Sequence, residues 1–79
     1  MAFNKEVNQF VINNYKKEIR KLKKQIKKND NRLRVLSHYP EFTEEYLMKI
    51  KNESGLLADR IVEVNDLIAI LTKLENEYA

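Results

Sequence analysis

The chain has 79 residues, 15 Lys and Arg against 12 Asp and Glu, a formal net charge of +3, one glycine, one proline and no cysteine. That length allows one domain with a thin core, and the lack of cysteine excludes a disulfide framework or a thiolate metal site. No apolar run approaches the ~18–20 residues of a bilayer span, and the start, MAFNKEVNQFVINN, lacks the basic and apolar regions of a secretory signal, so a cytoplasmic protein without membrane association is expected.

The first predicted element is a helix over about residues 4–37. Its apolar positions Ile12, Tyr15, Ile19, Leu22 and Ile26 alternate steps of three and four, and the same steps continue through Asn29, Leu33 and Leu36. Such alternation keeps one side of a helix facing a neighbour over many turns. A loop over 38–43 follows. Pro40 lacks an amide hydrogen and disfavours helix at Tyr39, so the first helix should stop near Ser37. Thr43 can cap the next helix, with Glu44 and Glu45 placed where the helix dipole favours negative charge.

The second predicted helix runs over about 44–78. Leu47, Ile50, Ser54, Leu57, Ile61, Val64, Ile68 and Leu71 form its seam. When the chain folds back at the loop, the two seams meet layer by layer. Leu36 pairs with Leu47, Ile26 with Leu57, Leu22 with Ile61 and Ile12 with Leu71, and the residue numbers of every pair sum to 83. This agreement predicts an all-α fold: an antiparallel, coiled-coil-like helical hairpin spanning 1–79 as a single domain.

The two polar seam positions, Asn29 and Ser54, fall in one layer. Asp30 and Asn31 follow the first and Gly55 the second, so helix propensity is locally weak on both sides. A buried Asn–Ser contact that fixes register is the expected role, with a shared hinge as the alternative. Asn13-Asn14 is a further point where the first helix could break.

Catalytic patterns are nearly absent. The single histidine, His38, lies in the loop with no thiol or glycine-flanked serine to partner it, and no metal-binding or phosphate-loop motif occurs. Catalysis by an Arg–Glu pair inside a small helical bundle would need charged residues on the seam, and this seam carries none. No catalytic residue, metal or cofactor is expected, and the chain reads as a non-enzyme.

Charge divides sharply between the halves. Residues 1–40 hold eleven Lys and Arg against three acids, net +8, and residues 41–79 hold four against nine, net −5. On the helical wheel Arg20, Lys27 and Arg34 fall outward at one angle, with Lys17, Lys21, Lys24 and Lys28 beside them. This stripe can be a solvated face that offsets the acidic second helix, with Arg32 near Glu53 as one flanking pair. It can also be a phosphate-binding face, because a helix of such charge density attracts nucleic acid by counterion release. The candidate phosphate contacts are Arg20, Lys24, Lys27, Lys28 and Arg34. Lysine predominates and no aromatic residue interleaves, so neither bidentate base readout nor base stacking is expected.

At the open end, Phe3, Val7 and Phe10 form an apolar stripe apart from the seam, and Leu67, Ile70 and Leu74 form a second one, with Leu56 further along. Leaving six such side chains wet forgoes ~1.5–3 kcal/mol each, and a two-helix hairpin cannot bury both stripes. These residues are therefore the candidate interface for a homodimer or a protein partner, the alternative being that Phe3 to Phe10 form a short helix that folds back within the monomer. The leading functional expectation is a small interaction or regulatory protein, of the kind phages and mobile elements carry, that self-associates and binds a protein partner. The alternative is a hairpin that binds RNA or DNA through the basic face of its first helix.

Overall fold

A computed structural model describes residues 3–78. It contains two helices, α1 at Lys5–Leu36 and α2 at Glu44–Tyr78, packed antiparallel along their length. The resulting rod measures 59 × 16 × 15 Å.

Local chemistry accounts for the helix ends. Asn4 has extended backbone, and its side-chain oxygen accepts from the Val7 amide at 3.1 Å, satisfying one of the free donors of the first turn of α1. At the other end the Ser37 hydroxyl donates to the Arg34 carbonyl at 2.9 Å, and the Tyr39 amide donates to the Leu36 carbonyl at 3.0 Å. Pro40 then prevents continuation. The chain turns through a Phe42 amide bond to the Tyr39 carbonyl, 3.2 Å long. Thr43 caps α2 as its position implied: the hydroxyl accepts from the Tyr46 amide at 3.3 Å, and its carbonyl accepts from the Leu47 amide at 3.1 Å.

Every seam position from Ile12 to Leu36 and from Leu47 to Leu71 is buried or half-buried. The apolar core is thin. Among the described residues only Ile12, Ile19, Ile50 and Val64 are apolar and fully buried, and Leu22 is half-buried. Asn29 is 1% exposed. Its amide nitrogen donates to the Ser54 hydroxyl at 3.2 Å, while its oxygen accepts from Gln25 Nε2 at 3.1 Å. Both helices pass unbroken through Asn13-Asn14, through Asn29-Asp30-Asn31 and through Ser54-Gly55, and the polar layer is a packed contact.

The seam also runs one layer further than its apolar residues do. A step of four back from Ile12 reaches Asn8, and a step of four on from Leu71 reaches Glu75; these two numbers again sum to 83. Asn8 is buried and donates to the Leu71 carbonyl at 3.0 Å. Gln9 donates to the Glu75 carboxylate, which Lys5 approaches at 3.9 Å. A polar lock therefore closes the open end of the hairpin.

Candidate interaction surfaces

The flanks of the seam have their own pairing rule. Glu18 meets Arg60, and Arg32 meets Tyr46. Both pairs sum to 78, so the same offset sets Val11 against Leu67 and Gln25 against Glu53 across the flank. Arg60 Nε lies 2.8 Å from Glu18, and a terminal guanidinium nitrogen lies 3.0 Å from Glu63. The hydrogen bond to Glu18 is the main cause holding the Arg60 pKa above its ordinary value; Glu63 adds to it and desolvation opposes it. More than a third of each side chain is solvent-exposed, so the pair fixes alignment more than it stabilises. Arg32 does not reach Glu53: its guanidinium donates to the Tyr46 hydroxyl at 3.0 Å.

At the open end this flank is apolar. Val11, Leu67 and Leu74 are half-buried, while Val7 and Ile70 beside them are 57% exposed. Phe10, on the outer border, is 66% exposed. Phe3 stands apart from this surface. It precedes α1, and its ring stacks on Tyr78 with centroids 5.3 Å apart. Of the six residues of the two stripes, Phe3, Leu67 and Leu74 are thus partly covered within the hairpin, and Val7, Phe10 and Ile70 are not. Leu56, 71% exposed, lies one helical step of 14 residues from Ile70 on the same row of α2.

The basic stripe is solvated along its length. Arg20, Lys24, Lys27, Lys28 and Arg34 are all exposed. Among the described residues the ion pairs are Lys5–Glu75, Arg60–Glu18 and Arg60–Glu63, and the stripe takes no part in them. Arg34 donates to Asn31 at 3.0 Å. The acidic second helix of the same chain therefore does not neutralise this face by direct contact.

The loop end carries a third surface, which the spacing of apolar residues did not disclose. Tyr39 meets Phe42 edge-on at 6.5 Å, and Phe42 leans on Tyr46 at 5.6 Å. With Arg32 bonded to Tyr46, these rings tie the loop to both helices. A shallow groove lies beside them on the outer side of α2, lined by Glu44, Glu45, Met48, Lys49 and Asn52. His38 is exposed and touches none of these groups through a hydrogen bond. Among the described residues no group of His, Asp and Glu is arranged to hold a metal ion, and no helix is long and apolar enough to cross a membrane.

The fold and its surfaces define a two-helix antiparallel hairpin with an apolar open-end flank and a cationic outer face. No protein-family model matches the chain, and no curated protein or solved structure matches it.

Proposed function

We propose that this chain is a non-enzymatic interaction protein that self-associates through its open-end flank and holds a protein partner with the surface left exposed. One observation carries the reading. Val7, Phe10 and Ile70 are left exposed near the open end of a hairpin whose fully buried apolar core is only four residues among those described. A small scaffold with so little core gains most from covering such a patch with another chain. A contiguous apolar surface contributed by two helices is also what one hairpin presents to another in a four-helix bundle.

Light scattering tests this directly. The wild-type chain is expected to have the mass of a dimer at micromolar concentration. Phe10→Asp combined with Ile70→Asp should reduce the mass to one chain while helicity persists, because both side chains are already exposed within the hairpin. A wild type that stays a folded monomer at high concentration overturns the proposal.

A second reading rests on a different observation, the unpaired cations of α1. Here the chain binds the phosphate backbone of nucleic acid through Arg20, Lys24, Lys27, Lys28 and Arg34. Affinity for a generic duplex should then fall with salt at a log–log slope of about −0.9 per phosphate contacted. Lys27→Gln with Lys28→Gln should weaken all sequences alike and make that slope shallower, since phosphate contacts position without specifying. A mobility-shift series at two salt concentrations decides it, and no shift at low salt eliminates this reading.

A further inference from the structure

The cationic face of α1 takes no part in the hairpin's ion pairs, nor do the exposed Asp59 and Asp66 of α2, and their geometry says how two copies fit together. Two arrangements with two-fold symmetry bring the open-end flanks of two hairpins face to face. With the symmetry axis across the rods, α1 lies on α1 of the second copy and α2 on α2. With the axis along the rods, α1 of each copy lies antiparallel against α2 of the other. The first arrangement overlaps the rods only near their open ends, while the second lays them side by side along their length and sets the half of net charge +8 against the half of net charge −5. Complementary rows of charge favour an interface and fix its register.

The axis along the rods also keeps every residue at its own height. In the hairpin, residues whose numbers sum to 83 are level. Across the two-fold axis Lys17 is therefore level with Asp66 of the second copy, Lys24 with Asp59, and Lys21 with the neighbour of Glu63. All six side chains are exposed. Lys17, Lys24, Asp59 and Asp66 stand on the outermost rows of their helices, at the rim of such a contact. Lys21 and Glu63 stand one row further in, on the rows that carry Val7 and Ile70. At the open end the same superposition brings the rows that carry Val7 and Val11 of one copy alongside the rows that carry Ile70 and Leu67 of the other, with these residues staggered by five to six positions.

We infer that the chain forms a two-fold dimer with its axis along the hairpins, in which Lys17, Lys21 and Lys24 of each copy face Asp66, Glu63 and Asp59 of the other. This inference rests on the self-association proposed above and gives it a geometry. It also divides the cationic face. Arg20, Lys27 and Arg34 lie on the opposite flank and stay solvated in the dimer.

Reciprocal charge reversal tests it. Lys17→Glu with Lys24→Glu sets acid against acid in both contacts of a homodimer, and Asp59→Lys with Asp66→Lys sets base against base. Each variant should dimerise at least about tenfold more weakly than wild type at low salt, with helicity unchanged. An equimolar mixture of the two should regain the dimer, because in the mixed pair both contacts are complementary again. A single-chain mass for the wild type overturns the self-association reading together with this geometry. A wild-type dimer whose variants associate normally, or whose mixture gains nothing, overturns the geometry alone. Variants that keep full self-association but lose binding to a generic duplex assign the lysines to nucleic acid and likewise overturn it.

Discussion

Ile50→Ala is expected to remove ~2–5 kcal/mol of folding stability, and Ile12→Ala a similar amount. Both side chains are almost wholly buried, at 5% and 3% exposure, so truncation loses the transfer free energy of the missing atoms and leaves a void between two stiff helices. A domain of this size has a total stability of about 4–12 kcal/mol, so either change can leave much of the population unfolded at room temperature. Leu22→Ala should cost less, because Leu22 is half-buried although it occupies a full seam layer. Leu56→Ala, at a side chain 71% exposed, should cost less than about 1 kcal/mol in the separated hairpin. Urea denaturation followed by helicity gives this order, at several protein concentrations because association adds stability by mass action. Equal losses at Ile50 and Leu56 would mean that the seam does not hold the hairpin closed.

The features that were legible in the sequence share a cause. The seam could be read because burial along a helix imposes a period, and the loop because proline leaves the backbone few choices. The layer of Asn8 and Glu75 obeys the same period but was hidden, since a search for apolar residues stops where the seam becomes polar. The flank shows the complementary difficulty. Charge alone suggested Arg32 with Glu53, but the offset set by Glu18 and Arg60 puts Arg32 level with Tyr46. That offset became visible only with one flank pair in hand. Its spacing from Val7 and Phe10 puts Phe3 on a helical stripe. Helical spacing does not apply to it, because α1 begins at Lys5 and the ring turns instead to Tyr78. The aromatic cluster at the loop end has no period at all: Tyr39 and Phe42 belong to a turn, and only the fold brings them to Tyr46. The candidate surface was thus legible where it is helical, in Val7, Phe10 and Ile70, and obscure where it depends on loops and termini.

The layer of Asn29 and Ser54 should show opposite effects for single and double substitution. Asn29→Ala removes the donor to Ser54 and the acceptor for Gln25 and leaves a void at the most buried polar position of the chain. A loss of about 1–3 kcal/mol is expected. Asn29→Leu combined with Ser54→Ala instead removes both partners of the layer contact and restores apolar volume, and it should be at least as stable as wild type. What the double variant should lose is uniqueness. If α2 slides by one heptad, the residue numbers of each layer sum to 90, and Asn29 then faces Ile61 with its amide unpaired in a dry layer. With leucine at that position the slipped register no longer carries this penalty, although it still loses the layers of Leu47 and Ile50. Paired cysteines read the register. Cysteines at Ile26 and Leu57 should cross-link within one chain in both backgrounds, whereas cysteines at Ile26 and Val64 should cross-link in the double variant only. A double variant destabilised as much as Asn29→Ala would show that the polar layer contributes net stability and is not there to set register, because a layer kept for register holds the helices in one alignment at some cost to the folded state.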